Sequence, residues 1–314
     1  KVAKKAFDKY LSTFENGIFV NDATYYNAIS AVKINDSIAA ITLNEKVVEL
    51  GVKSHQETAM LFLARESYSR DDFVNSNKHY NTLLEYASSN SIKREVVIRL
   101  MTGNEMIDNK VAFKFAKQVV EFDKTDNWLL SKAYVIIARN EFENGNYAKS
   151  KVTFKQVVEL SDYDEGAEAK YYLAYLTYLD ENLTLAEQMI FELAEKYSSD
   201  YFIAKAFILL ADIYVAQENN FQAKATLESI IENHDGDDLV NLARKKWEQI
   251  VEKEKVVTPE IEEEFYIDIS EDEIVYEEEV RDEIDEDYIV EIPDSLKVES
   301  DSLEIKILED EEIE

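Results

Sequence analysis

The feature that most constrains this chain is a spacing of small residues that recurs every 36 to 38 positions between residues 22 and 234. A first small residue is followed twelve positions later by a second one, and seven positions after that by an aliphatic pair. The first position is held by Ala28, Ala64, Ala138, Ala174 and Ala211, with Leu100 as the large exception. The second is held by Ala40, Ser76, Ala112, Ser150, Ala186 and Ala223, and the pairs run from Val47-Val48 to Ile230-Ile231.

Each unit of this pattern predicts two antiparallel helices. In residues 126–161, Asp126 or Asn127 can cap a first helix, Asn144-Gly145-Asn146 is a turn signal, and a second apolar stripe begins at Tyr147. Two helices approach closely only where one face lacks bulk, which explains the small residues. A single hairpin cannot bury both of its faces, so six such hairpins are expected to stack into a solenoid. Residues 91–122 fit this pattern least well, because Leu100 and Gly103 interrupt it.

The composition agrees with an all-α chain and gives little support to catalysis. The 314 residues include only 6 Gly and 2 Pro, the residues that helix interiors tolerate least. Cysteine is absent, which excludes disulfides and thiolate chemistry. His55, His79 and His234 lack a second His at helical spacing, so neither a metal nor a cofactor is expected. No nucleotide-binding or nucleophile motif is present, and we predict a non-enzymatic protein.

The repeats resemble the tetratricopeptide repeat (TPR) family over about residues 1–250. Gly145-Asn146-Tyr147 matches the family's turn, and Ser150 stands at its small position. The family's proline near the end of each repeat is missing, and the units are longer than usual. This resemblance implies a right-handed αα-superhelix that acts as a scaffold for other proteins. The phrases FDKYLSTFENGIFVNDATYY and NFQAKATLESIIE also resemble Bacteroidetes-type cell-envelope TPR proteins. That implies a periplasmic component of an outer-membrane assembly or secretion complex; the alternative location is cytoplasmic.

We predict four segments along the chain. Residues 1–14 read as the second helix of an incomplete repeat, so we expect a piece of a longer protein. Residues 22–234 form six helix pairs, and 237–255 form a capping helix. Residues 256–314 differ sharply in composition from the rest of the chain, with 26 acidic and three basic residues. They carry −23 of the chain's net charge of −32. A strongly acidic chain is not expected to bind nucleic acid.

The acidic tail is interpreted in two ways. Its composition is typical of a disordered, solubilising segment. Its short apolar clusters alternate with charges at strand-like spacing, which favours a partner-binding arm. The residues predicted to make those contacts are Phe265, Tyr266, Ile267, Ile274, Val275, Tyr276, Tyr288, Ile289, Val290, Ile305 and Ile307.

The first helices of the repeats are predicted to line a partner-binding groove. Counting from the first small position selects basic and aromatic side chains, the types that anchor interfaces. These are Arg65, Tyr68, Arg94, Lys132, Arg139, Phe142, Tyr171, Tyr175 and Tyr178. The alternative is that several of the tyrosines pack between neighbouring repeats. We expect Arg139→Glu or Tyr175→Ala to weaken partner binding with little effect on the melting temperature.

Two other functions remain open at this point. The chain could be the regulatory or targeting region of a larger enzyme, or a structural solenoid that associates with itself. The partners of the leading interpretation are proteins or peptides in a multi-protein complex, with membrane-associated partners among the candidates. No apolar run in the sequence is long enough to span a membrane.

Overall fold

The computed structural model describes residues 1–257, which contain fourteen α-helices and no β-strand. Helices α2 to α13 form six consecutive pairs, with α1 before them and α14 after them. Their bounds are α1 Val2–Thr13, α2 Val20–Lys33, α3 Ser37–Leu50, α4 Lys53–Tyr68, α5 Phe73–Tyr86, α6 Asn90–Glu105, α7 Asn109–Val119, α8 Asn127–Glu143, α9 Tyr147–Leu160, α10 Asp164–Leu179, α11 Leu183–Lys196, α12 Asp200–Ala216, α13 Asn220–Asn233 and α14 Asp237–Val257.

Each helix packs mainly against the helices before and after it in the sequence, and the first helices of successive pairs also meet, α8 with α10 and α10 with α12. Buried apolar clusters run along the array in the same order. An all-α helical-repeat architecture is therefore confirmed for the described part of the chain.

The small residues lie where the two helices of a pair cross. At the first position Ala28, Ala64, Ala138 and Ala174 are completely buried, and Ala211 is nearly so. Two of the second positions add a polar link, because the Ser76 hydroxyl donates to the Ala64 carbonyl at 2.9 Å and Ser150 donates to Ala138 at 3.0 Å. In these two pairs the twelve-residue spacing therefore brings the second helix against the backbone of the first.

The turn between the two helices of a pair repeats as regularly as the small residues. An Asp or Asn caps the second helix, and its side chain accepts a backbone N–H of the first turn at Asp36, Asp72, Asp108, Asn182 and Asn219. The residue before the capping position is left-handed in five of the six pairs, at Asn35, Asp71, Gly145, Glu181 and Glu218. Gly145 precedes Asn146, whose side chain accepts no cap hydrogen bond. At the first helix of the fourth pair, Asp126 is the cap, as one of the two predicted alternatives had it.

The third pair departs from the pattern but forms both helices, α6 and α7. Leu100 is completely buried in the same apolar cluster as Ala112 and Ala116, so small residues on α7 compensate for the large one on α6. Gly103, one turn further along α6, packs against Asn77 of α5. The irregular unit thus keeps the helix pair with a large residue, Leu100, at the first position and with Ala112 and Ala116 on α7.

The first and last described helices differ in how they are covered. No residue of α1 is buried. Helix α14 buries Leu239, Ala243 and Ile250 in the cluster formed by α12 and α13. Among helices α1 to α14, none combines the length and the apolar character that a membrane-spanning segment needs.

Candidate protein-binding groove

The nine predicted groove residues all lie on α4, α6, α8 and α10, the first helices of four successive pairs. We call the side of the array formed by these helices and α12 the first-helix face. Arg65, Tyr68 and Arg94 lie together at one cavity, and Arg139 and the four other aromatic residues lie further along. Lys132 lies beside Trp128, with its ammonium 5.3 Å from the indole ring.

Three of the four predicted cations are held by carboxylates of the next first helix. Arg65 donates two hydrogen bonds to Glu95, at 2.6 and 2.5 Å. The Lys132 ammonium lies 2.8 Å from Glu165. Arg139 donates to both oxygens of Glu168, at 2.8 and 2.9 Å. Their charges therefore link neighbouring repeats.

The Arg139 pair is the most enclosed of the three. Its side chain is 21% exposed, that of Glu168 is 10% exposed, and Glu105 of α6 approaches from the other side at 3.4 Å. Burial opposes the charge of Arg139, but the hydrogen bonds that it donates to Glu168 and the charges of Glu168 and Glu105 raise the pKa of the guanidinium. Because Arg139→Glu would bring a third carboxylate to this place, we now expect it to lower the melting temperature, in place of the small effect expected from the sequence.

The Arg65 pair is more exposed but just as well aligned. The hydrogen bond from Arg65 holds the pKa of Glu95 below its ordinary value. Behind it, the phenol of Tyr80 is buried and lies 3.5 Å from Glu95, and burial raises the pKa of Tyr80 to about 12. Both partners of the ion pair are therefore charged at neutral pH.

The predicted aromatic residues form one continuous layer between α8 and α10. Phe142 lies 5.8 Å from Tyr175 between ring centroids, and Tyr175 lies 6.3 Å from both Tyr171 and Tyr178. Tyr172, which the sequence reasoning missed, contacts Phe142 at 5.0 Å and stacks on Phe154 at 4.8 Å. All four of the predicted rings are partly buried, so they pack between repeats and still present an edge to solvent.

A cavity of about 570 Å³ opens on the first-helix face between α4, α6 and α8. We call it the arginine cavity, because Arg65, Arg94 and Arg99 line it with Tyr68, Trp128 and a single carboxylate, that of Glu95. It is the place where the structure gathers basic and aromatic side chains around open space.

Two of these arginines have no carboxylate partner within 4.0 Å among residues 1–257. Arg94 donates to the Asp123 carbonyl at 3.0 Å and to the Thr125 hydroxyl at 3.1 Å. The Arg99 guanidinium lies 4.4 Å above the ring of Tyr68. Neutral acceptors and an aromatic face leave most of the positive charge uncompensated, so the cavity is electropositive in a chain of net charge −32.

Sequence reasoning missed Arg99 and Trp128. Arg99 stands immediately before the first small position, and its counterparts there are Asn27, Leu63, Ile137, Leu173 and Leu210. A charged residue among uncharged ones was therefore a usable signal. Trp128 is 57% exposed near the start of α8, outside the repeated register, and no spacing pointed to it.

The predicted contact residues of the acidic tail, from Phe265 to Ile307, lie outside the described residues. Within residues 1–257, no group of three or more His, Cys, Asp or Glu side chains has the arrangement that a metal ion requires.

No protein-family profile matches the chain, and no curated protein matches it. Solved structures show a similar arrangement of helices. One is the C-terminal part of a TPR repeat-containing protein from Cytophaga hutchinsonii, 12% identical over 76% of this chain and 92% of that one, with a TM-score of 0.47. Another is a tetratricopeptide repeat protein from Parabacteroides merdae, 13% identical over 79% of this chain and 91% of that one, with a TM-score of 0.42.

A third is a thermophilic TPR protein from Thermus thermophilus, 16% identical over 62% of this chain and 98% of that one, with a TM-score of 0.39.

Proposed function

We propose that this chain is a non-enzymatic scaffold that binds an acidic segment of a partner protein in the arginine cavity. The observation that carries the proposal is the pair Arg94 and Arg99, which bear charge without a carboxylate partner in the described structure. Three arginines and one glutamate leave the lining with a net charge of +2. A segment with two carboxylates would match that charge.

The aromatic side chains of the cavity supply contact area as well as charge. Trp128 is 57% exposed at the edge, and Tyr68 is held in place by its hydroxyl, 2.7 Å from that of Thr102. Exposed Trp, Tyr and Arg side chains carry most of the binding energy at protein interfaces. An apolar or aromatic residue beside the carboxylates of the partner segment would cover Trp128.

The proposal is tested by photo-crosslinking and titration. A photo-reactive amino acid at position 128 should couple to a partner, and the coupled peptide should be acidic. A synthetic copy of that peptide should bind the purified chain, more weakly as salt is raised, because the contacts are ionic. The variant Arg94→Glu/Arg99→Glu should lose that binding, whereas the control Lys149→Glu/Lys155→Glu on α9 should keep it.

Three outcomes would contradict the proposal. The coupled peptide could be basic, its affinity could be unchanged in the Arg94→Glu/Arg99→Glu variant, or position 128 could couple only to a second copy of this chain. The last outcome would favour the self-associating solenoid, and light scattering over a concentration series would then show a growing mass.

The setting in the cell is a separate proposal. We propose a bacterial cell-envelope location, in a periplasmic complex concerned with outer-membrane assembly or secretion, with the acidic tail as a second contact. The resemblance of residues 7–26 to envelope-associated repeat proteins supports it. Cell fractionation tests the location. Comparing the bound partners of the whole chain with those of a chain ending at Lys255 tests the tail.

A further inference from the structure

Two contacts between α4 and α6 lie side by side in the arginine cavity. In the first contact, Arg65 of α4 donates its two hydrogen bonds to the carboxylate of Glu95 on α6, at 2.6 and 2.5 Å. In the second, the guanidinium of Arg99 on α6 lies 4.4 Å from the ring centroid of Tyr68 on α4. Tyr68 follows Arg65 by three residues and Arg99 follows Glu95 by four, so the two contacts are about one helical turn apart. All four side chains line the cavity.

The pair of Arg65 and Glu95 is more open than the other ion pairs between first helices. Its side chains are 56% and 26% exposed. In the pairs of Lys132 and Arg139 the cations are only 27% and 21% exposed, and their carboxylates are 11% and 10% exposed. Water solvates both charges of an exposed pair, so such a pair contributes little to stability and one partner can be exchanged for another at little cost. A carboxylate that enters the cavity can therefore compete with Glu95 for Arg65.

Glu95 keeps other favourable contacts when Arg65 turns towards an incoming carboxylate. The phenol oxygen of Tyr80 lies 3.5 Å from one oxygen of Glu95, and burial raises the pKa of Tyr80 to about 12, so the phenol is protonated and can donate. The hydrogen bond from Arg65 is the main reason that the pKa of Glu95 is lowered, and the charge of Arg99 acts in the same direction. The exchange therefore does not leave Glu95 as an isolated buried charge.

We propose that Glu95 sets the number of acidic groups that the arginine cavity recognises, by holding Arg65 in reserve. This inference rests on the proposed function of the cavity. While Glu95 holds Arg65, the cavity offers the uncompensated charges of Arg94 and Arg99 and matches two carboxylates of a partner. A third carboxylate reaches Arg65 only in competition with Glu95, so it adds little to the affinity.

The spacing of the two contacts also limits the kind of partner segment. One helical turn corresponds to a rise of about 5.4 Å. In an extended segment, side chains two residues apart point to the same side and are separated by about 6.6 Å. The acidic group that meets Arg65 is therefore two residues away from the one that meets Arg99. The partner segment is extended, and its acidic side chains alternate with apolar ones.

Titration calorimetry of the purified chain with synthetic peptides tests this role of Glu95. The three-acid probe is the capped peptide Gly-Glu-Leu-Glu-Leu-Glu-Gly, and in the two-acid probes either outer Glu is replaced by Gln. The parent chain should bind the three-acid probe at most about threefold more tightly than the two-acid probes. In Glu95→Gln, where Arg65 is free to pair with the third carboxylate, this preference should rise to about tenfold or more.

Two further variants serve as controls. Glu159→Gln removes an exposed carboxylate from α9, outside the lining of the cavity, and should change every affinity by less than about twofold. Adding Arg65→Met to Glu95→Gln should return the preference for the third acid to that of the parent chain. Thermal melts followed by circular dichroism should show that Glu95→Gln is folded, because glutamine keeps the shape of the side chain and the pair is exposed.

The outcomes separate this inference from the proposed function. If Glu95→Gln gains equally for two-acid and three-acid probes, or gains for neither, Glu95 does not hold Arg65 in reserve and the inference is overturned. The proposed function survives that result as long as the parent chain binds the two-acid probes and Arg94→Glu/Arg99→Glu does not. If the parent chain binds none of the acidic probes, the proposed function and the inference both fail.

Discussion

A Cβ atom on Gly103 would lie 2.7 Å from the side-chain Oδ1 of Asn77, so the glycine of α6 makes room for the amide of α5. Asn77 is 7% exposed, and neither atom of its amide has a hydrogen-bond partner among the described residues. The pair combines two unfavourable features, a glycine within a helix and an unsatisfied buried amide.

We expect the double variant Asn77→Ala/Gly103→Ala to be more stable than the parent chain by about 1 kcal/mol, because alanine favours the helix and the unpaired amide is gone. Gly103→Ala alone should be destabilising, since its methyl group meets Asn77. Urea unfolding of the four chains of this cycle measures both effects. If the two single effects simply add, the contact between Asn77 and Gly103 is not the cause.

Glycine should stabilise the chain at a left-handed turn position and destabilise it inside a helix. Glu181 has φ 59° and is exposed, so Glu181→Gly should stabilise the chain by about 0.5 kcal/mol, because a Cβ is unfavourable in that conformation. Gly145 has φ 74°, and Gly145→Ala should cost about 1 kcal/mol for the same reason. Lys155→Gly, in the exposed interior of α9, is the control and should also cost about 1 kcal/mol. Thermal melts of the three variants test these signs.

The serine hydroxyls where two helices of a pair cross should contribute measurably to the stability of the fold. Ser76→Ala removes the hydrogen bond to Ala64 without changing the packing, and we expect a loss of about 1 kcal/mol. At the corresponding position of the fifth pair, Ala186→Ser should be tolerated and Ala186→Val should not, because a β-branched side chain is too large for the crossing. Equal stability of Ala186→Ser and Ala186→Val would contradict the role given to small residues.

The ion pairs of Arg139 and Arg65 on the first-helix face should differ in how much they contribute to stability. Arg139→Met leaves two enclosed carboxylates without their cation and should cost about 3 kcal/mol. Arg65→Met removes an exposed pair, with the Arg65 side chain 56% exposed, and should cost at most about 1 kcal/mol. Adding Glu168→Gln to Arg139→Met should recover part of the loss. Denaturant unfolding of these variants measures the difference, and equal costs at 139 and 65 would contradict it.

His79 should make stability depend on pH in the weakly acidic range. It lines a cleft of about 510 Å³ between α3, α4 and α5. Burial and the neighbouring Lys78 lower its pKa from the ordinary 6.5, while Glu45 and Asp72 act against them. The folded chain therefore binds the proton less readily than the unfolded chain. The contribution of neutral His79 to the free energy of unfolding is complete above pH 6.5. It declines as the pH falls through 6.5 towards the pKa of His79 in the folded chain.

In His79→Gln the part of the loss of stability that is due to His79 should be absent between about pH 7.5 and 5.5. This range lies above the pH at which the carboxylates begin to titrate. Proton NMR of the imidazole gives the folded pKa directly. A pKa of His79 at or above the ordinary value, or the same pH dependence in His79→Gln, would contradict the prediction.

The spacing of small residues predicted the helix pairs because close approach of two backbones leaves a signature in the sequence itself. The turn signature was equally present, as Asp or Asn before each second helix, but the sequence analysis used it only in the fourth pair, at Asn144-Gly145-Asn146. Which charged side chains pair with each other could not be predicted in the same way. Arg139 and Glu168 are 29 residues apart, and their contact depends on how far one repeat is rotated against the next.

The arginine cavity illustrates the same limit. Arg65, Tyr68 and Arg94 were found from the register, whereas the exposed Trp128 became part of the cavity through the position of α8 relative to α6. Local periodicity determines which side of a helix a residue occupies. It does not determine which charged side chains form ion pairs within the chain and which stay unpaired on its surface.

The line of charges from Glu105 through Arg139 to Glu168 means that these repeats are not interchangeable parts. Deleting α8 and α9 would remove Arg139 and Lys132 and would bring α6 beside α10. Glu105 would then face Glu165 and Glu168 without a cation between them. An array assembled from identical units can lose one of them and close the gap. Here three successive units contribute Glu105, Arg139 and Glu168 to one group of charges, so exchanging or deleting one of these units would leave like charges facing each other.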